Sequence, residues 1–259
     1  MTTQAHSLIL IGSQRQQSWA RSIISKLQGQ TDKPLPDVRD AEFWITHRNS
    51  PVEDIFIDAM ALVLDLNIVS TAFTTRYSRY GRSDAMQAID ALDQAVALDC
   101  ETNGTGKDSE LIELAIVRVQ TGEVLFDSLI QPTDLTIKSE EAQAAHQIPR
   151  AQLEKAPTLP DVWPLLVSIL VSHPLVAYND KFDVPMIRRS ALKWGIHPPR
   201  LYSTCAMKLF SAYQESDDWY SLDEACNLMN IDRTPFGDVH RALADTLATV
   251  ALIEAMRLS

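Results

Sequence analysis

The sequence predicts an α/β domain over its C-terminal two thirds, and three observations carry that prediction. Five short apolar, β-prone runs (95–99, 111–120, 123–130, 175–178 and 201–204) are bounded by turn-forming residues. The first three follow one another closely, with Thr121-Gly122 as the turn between the second and the third. Helical periodicity fills the remainder: Val184, Ile187, Ala191 and Trp194 recur at helical spacing before Gly195, and Leu243, Leu247, Val250, Ile253 and Met256 form a second stripe. A mixed five-stranded sheet flanked by helices accommodates this order, with the first three strands as an antiparallel meander and the later two reached through helical crossovers.

Residues 1–90 are expected to form a mainly helical N-terminal extension or small accessory domain, ahead of a domain over 91–259. Trp19, Ile23, Ile24 and Leu27 have helical spacing, and Ile55, Ile57, Met60, Ala61, Val63, Leu64 and Ile68 form a second apolar stretch read as helical. Pro34-x-Pro36 and Arg48-Asn49-Ser50-Pro51 read as breaks. From Phe73 to Arg82 aromatic and basic residues interleave: Arg76, Tyr77, Arg79, Tyr80 and Arg82 either stack bases and neutralise phosphates or form an exposed linker. Asp84 is expected to cap a short helix running to Ala91. The sequence contains no internal repeat and no low-complexity tract.

The first β-prone run ends in Asp99-Cys100-Glu101 and is broken by Thr102-Asn103-Gly104-Thr105-Gly106. On a strand, a spacing of two puts both carboxylates on one face and Cys100 on the other. Two carboxylates in apolar surroundings repel unless a cation lies between them, and oxygen ligands suit Mg²⁺ or Mn²⁺. Alone, such a pair is more often a strand end with solvated acids feeding a Gly-rich turn. The run 174–178 leads into Asn179-Asp180-Lys181-Phe182-Asp183, with Pro185 in the first turn of the next helix, which makes Asp183 a candidate N-cap. In His240-Arg241-Ala242-Leu243-Ala244-Asp245, five helical steps would turn His240 and Asp245 about 140° apart. His240 therefore belongs on a loop or first turn ahead of the helix that carries Asp245.

Taken together, these segments resemble the DEDDh 3′-5′ exonucleases of the ribonuclease H-like fold, which include a polymerase proofreading subunit, RNase T and oligoribonuclease. The resemblance runs from about Ala95 to Met256. It rests on Asp99-x-Glu101-Thr102-x-Gly104, Leu111-Ile112-Glu113-Leu114-Ala115, Asn179-x-x-Phe182-Asp183, Ser221-Leu222-Asp223-Glu224-Ala225-Cys226 and His240-Arg241-Ala242-x-x-Asp245. His240, rather than a tyrosine four residues before the last acid, marks the h-type. The departures are Asn103, where the family usually has Thr, and Asp180, where it often has Ala; neither removes a metal ligand. The resemblance implies that the fourth and fifth strands lie beside the first. It also implies that Asp99, Glu101, Asp183 and Asp245 hold two Mg²⁺ or Mn²⁺ ions, that His240 is the general base, and that nucleoside 5′-monophosphates leave the 3′ ends of single-stranded DNA or RNA. A polymerase or another nucleic-acid-processing protein is a possible partner of such an enzyme. A rival reading is a non-catalytic nucleic-acid-binding or scaffold protein of the same fold, against which the retention of four acids and His240 counts.

Composition fits this class. The 259 residues suffice for a sizeable core plus a smaller addition. The three cysteines, Cys100, Cys205 and Cys226, have neither disulfide nor zinc spacing. The run 8–11 is too short and lacks the basic lead of a signal peptide, and no segment is long enough to span a membrane, so a cytoplasmic location is expected. The net charge of −11 excludes broad, nonspecific duplex binding. It does not exclude an enzyme that grips a few terminal nucleotides through a local patch, for which Arg188, Arg189, Lys193 and Arg200 are candidates; the same four also suit a solvated helix face. Phe182 is read as a core residue.

Overall fold

The computed structural model describes residues 22–26 and 81–259, except 137 and 200. Trp19, Leu27, the apolar stretch 55–68, the breaks near Pro34 and Pro51, the residues 73–80 and Arg200 lie outside the described residues. The chain divides into two compact units, Met1–Leu66 and Asn67–Ser259. In the first, residues 22–26 are helical and Ile23 is buried.

In the second unit the strands are β1 (Val96–Thr102), β2 (Leu111–Arg118), β3 (Val124–Leu129), β4 (Leu175–Ala177) and β5 (Ser203–Cys205). The helices are α1 (Arg82–Asp90), α2 (Glu140–His146), α3 (Arg150–Leu153), α4 (Leu159–Ser172), α5 (Asp180–Lys193), α6 (Ala206–Tyr213), α7 (Leu222–Leu228) and α8 (Ala242–Arg257). One five-stranded sheet runs in the order β3-β2-β1-β4-β5. β1, β2 and β3 form the expected antiparallel meander, and β4 and β5 join parallel to β1. Gly122, at φ 68°, closes the turn between β2 and β3, and its N–H donates to the Arg118 carbonyl at 2.9 Å. Glycine tolerates that left-handed conformation without steric cost.

β1 and β2 are buried almost throughout, because helices cover both faces of the sheet. Strands enclosed in this way read as continuous apolar runs instead of alternating ones. On one face Ala97, Val119 and Val176 meet α1, α6 and α8 through Ile89, Phe210, Leu252 and Met256. On the other, Val96, Leu98, Ile116 and Leu175 meet α4 and α5 through Leu166, Leu170, Met186 and Ile187. Phe182, read as a core residue, is only partly buried and packs against the edge of this second layer. Each fully enclosed Leu or Ile contributes about 1.5–3 kcal/mol, so the two layers hold the central strand rigidly.

Three local expectations need correction. α1 starts from Gly81, and Asp84 is its third residue, accepting the Gly81 N–H at 3.2 Å instead of capping the helix itself. Ala85, Ala88 and Ile89 of α1 are core residues, so the compact α/β unit starts ahead of residue 91. On α8, Ile253 and Met256 are fully buried, but Leu243, Leu247 and Val250 stay partly exposed. The buried face is instead made of Ala242, Ala244, Thr246, Ala248, Thr249 and Leu252. α8 lies across β1 and β2, and small side chains let the helix approach the strands closely. Thr246 and Thr249 can sit in this contact because their hydroxyls donate to the carbonyls of Ala242 and Asp245, at 2.7 and 2.9 Å.

Candidate active site at the end of the central strand

β1 positions the first two acids. Asp99 and Glu101 project from the strand on the α8 side, while Cys100 packs into the opposite layer. Both acids are half-buried.

The third acid comes from the other layer. α5 begins at Asp180 with Asn179 as its N-cap, so Asp183 lies within the first turn and is not the cap, and Pro185 falls one residue pair later inside the helix. Freed from capping, the buried Asp183 reaches across to β1, where its Oδ1 accepts the Cys100 N–H at 3.1 Å. Asp180 turns aside and accepts from the Ser203 hydroxyl at 3.0 Å.

α8 supplies the fourth acid, Asp245, in its first turn, with Arg241 as the N-cap. His240 precedes the helix on an exposed turn with φ 61°. A histidine in that left-handed region costs about 1–3 kcal/mol unless its surroundings hold it there. The ligating atoms of Glu101, His240 and Asp245 all lie within 4.8 Å of one another. All five candidate residues therefore meet at the carboxyl end of β1.

The charge balance of this cluster is unfavourable without added cations. Burial, then Asp183, Asp245, Glu101 and Glu113, push Asp99 well above the ordinary carboxylate range. Glu101 is pushed to about 8 by burial and by Asp245, Glu113 and Asp183, against a smaller opposing pull from Arg241. Asp183 rises to about 7 through burial, although the Cys100 hydrogen bonds oppose it. Burial also raises Asp245, against Arg233 and His240. A set of carboxylate oxygens with one imidazole, held together against their own repulsion, fits divalent magnesium or manganese.

This balance predicts how stability depends on pH. Between the ordinary carboxylate values of 3.8 and 4.5 and the folded values near 7 and 8, the folded chain holds more protons than the unfolded one. Stability of the metal-free protein should therefore fall as pH rises through that window. Thermal melts in chelator at about pH 5.5 and about pH 8 check the sign. Addition of Mg²⁺ at neutral pH should release protons, read by calorimetry in two buffers of different ionisation enthalpy. Equal heats in both buffers would contradict the proposed ligand set.

Two residues contact this cluster without having been assigned a role from the sequence. Glu113 on β2 lies opposite Glu101 in the strand register and binds Arg241. A lone acid inside the apolar run 111–119 is the signal that could have marked it. Arg233 pairs with both Asp223 and Asp245, with its side chain largely buried. It comes from a loop without periodicity, and nothing local announces it. The candidate basic patch is partly used inside the fold. Lys193 donates to the Asp108 carbonyl at 2.6 Å and lies 3.4 Å from Glu110, while Arg189 contacts the Met186 sulfur and Arg188 is exposed. Arg82 lies over the Tyr213 ring at 4.1 Å and donates to its hydroxyl, so its guanidinium packs against α6.

Among the described residues no helix is long and apolar enough to cross a membrane. Cys100, Cys205 and Cys226 are all buried free thiols.

Comparison with known proteins agrees with this architecture. A family model described as RNase_T: Exonuclease matches residues 96–253. An uncharacterized exonuclease of Escherichia phage 186 is 28% identical over 176 residues, which cover 63% of this chain and 88% of the phage protein. The 3′-5′ exonuclease DinG of Staphylococcus epidermidis is 29% identical over 161 residues, 60% of this chain but only 17% of that protein. Among solved structures, E. coli exonuclease I in complex with a dA16 oligonucleotide superposes with a TM-score of 0.52 at 17% identity, covering 63% of this chain and 40% of that one. At that identity the likeness concerns the fold, and it places the same sheet and flanking helices in both.

Proposed function

Because the chain belongs to the RNase T exonuclease family, we propose that it is a divalent-metal-dependent 3′-5′ exonuclease acting on single-stranded DNA or RNA ends. The observation that carries this reading is the convergence of Asp99, Glu101, Asp183, Asp245 and His240 at the carboxyl end of β1. The 3′-5′ direction is supported by the name of the staphylococcal relative. The proposal places the chemistry in the unit that includes α1 and the sheet, with the residues ahead of it as an accessory segment.

In this reading Asp99, Glu101, Asp183 and Asp245 hold two Mg²⁺ or Mn²⁺ ions. Such ions, when bound, lower the pKa of a water and stabilise the charge on the departing 3′-oxygen. The protein's own part is positional. β1 fixes Asp99 and Glu101 on a strand enclosed on both faces, and the Cys100 N–H fixes Asp183 against it. His240, exposed and close to Glu101 and Asp245, takes the proton of the attacking water. Water attack on the terminal phosphodiester breaks the bond to the 3′-oxygen of the preceding nucleotide. A nucleoside 5′-monophosphate leaves, and the strand keeps a 3′-hydroxyl.

The test uses single-stranded DNA and RNA of one sequence, labelled throughout, with Mg²⁺ or Mn²⁺. Mononucleotide is expected from at least one of them, and the ratio of the two rates assigns the substrate class. Release that continues in excess EDTA would contradict the metal-dependent reading. Binding of both strands with release from neither would favour a non-catalytic nucleic-acid-binding protein of the same fold.

A further inference from the structure

We infer that Glu113 is a positioning residue for hydrolysis, acting through the turn that carries His240; the inference rests on His240 being the general base. Glu113 is the third residue of β2 and is almost fully buried. A buried carboxylate is costly unless it is paired and hydrogen-bonded. Here both of its oxygens are taken, and every partner belongs to one short segment. Oε1 accepts from Arg241 Nε at 3.1 Å and from Arg241 Nη2 at 2.5 Å. Oε2 accepts from Arg241 Nε at 3.1 Å and from the Ala242 N–H at 3.0 Å.

Arg241 is the N-cap of α8 and Ala242 its first residue, so one carboxylate on a rigid strand fixes both the start of the helix and the residue before it. A charged acceptor is also well placed at the unpaired N–H groups of a helix start. His240 comes immediately before this clamp, in the left-handed conformation that requires support from its surroundings. Its own side chain is exposed, and no neighbour encloses it. Its aim is set by the backbone, which Glu113 holds from the Arg241–Ala242 side while the His240 backbone also hydrogen-bonds Asp245. The same pairing removes a hazard. Glu113 faces Glu101 across the β1–β2 ladder, and without Arg241 it would add another unpaired negative charge beside the ligands.

A double-mutant cycle on the full-length protein separates positioning of His240 from other roles. Glu113→Gln is expected to lower kcat roughly tenfold to a hundredfold, as small misplacements of a catalytic group do. KM for the oligonucleotide and the calorimetric Mg²⁺ affinity should change by less than about twofold. In a His240→Ala background the same substitution should cost less than about twofold, because the group it positions is already gone. Arg241→Met should show the same loss of kcat and the same dependence on His240, with Mg²⁺ affinity shifted by the unpaired Glu113 charge but by less than the loss of rate, and it carries the cycle if Glu113→Gln does not fold, since Arg241 is only partly buried. An equal loss in both backgrounds would overturn the inference, leaving His240 as the base. A shift in Mg²⁺ affinity that accounts for the whole loss would overturn it in favour of an electrostatic role at the metal ligands. Unchanged activity in His240→Ala alone would instead overturn the general-base reading, and this inference with it.

Discussion

Asp99→Ala and Asp245→Ala are expected to abolish hydrolysis, by about a thousandfold or more, while the protein stays folded. The two acids combine charge with an unfavourable setting: Asp99 is pressed by burial and four neighbouring carboxylates. Removing it relieves repulsion that only bound cations would otherwise offset. In chelator, therefore, the melting temperature of Asp99→Ala should equal or exceed that of the native chain. Asp183 differs, because its carboxylate satisfies the buried Cys100 N–H. Asp183→Ala would leave that donor unpaired, a cost of about 1–3 kcal/mol, so Asp183→Asn is the cleaner variant there. Activity of Asp99→Ala within tenfold of native, at matched fold and metal, would exclude a ligand role for that acid.

His240→Ala is expected to lower the rate roughly a hundred- to ten-thousandfold, the range of a general base. Calorimetric metal binding should change far less, because four carboxylates remain in place. A loss smaller than about tenfold, at matched fold and metal, would show that another group takes the proton.

Much of this fold is legible in the sequence, and the legible parts have a common physical cause. The five strands lie within a few residues of their predicted bounds because enclosure on both faces demands uninterrupted apolar runs bounded by turns. The turn at Gly122 follows from its positive φ. The separation of His240 from the α8 helix follows from helical rotation alone. The failures also have causes. The leucines of α8 were expected inside because larger apolar side chains usually are, but close approach to β1 and β2 favours alanine and threonine. Asp183 reads as a cap from its neighbours in sequence, whereas its partner is the Cys100 N–H, 83 residues away. Arg82 reads as either strand-binding or part of an exposed linker from its company of tyrosines, and its ring contact is with Tyr213 on α6, a pairing that only the tertiary fold creates. The clamp between Glu113 and Arg241 is equally distant in sequence. At the site, the sequence names all four acids and His240, and the structure supplies what holds them: Arg233 on Asp245, the Cys100 amide on Asp183 and Glu113 behind the His240 turn.

The central claim is that these residues shorten a strand from its 3′ end in a metal-dependent reaction. It is tested most directly by following one single-stranded oligonucleotide labelled at its 5′ end and a second labelled at its 3′ end, each with Mg²⁺ and with excess EDTA. The 5′-labelled strand should give a ladder descending one nucleotide at a time. The 3′-labelled strand should release its label as mononucleotide at the outset, and neither should change in EDTA. Early release of the 5′ label, internal cleavage without a descending ladder, or equal rates in EDTA would contradict the account.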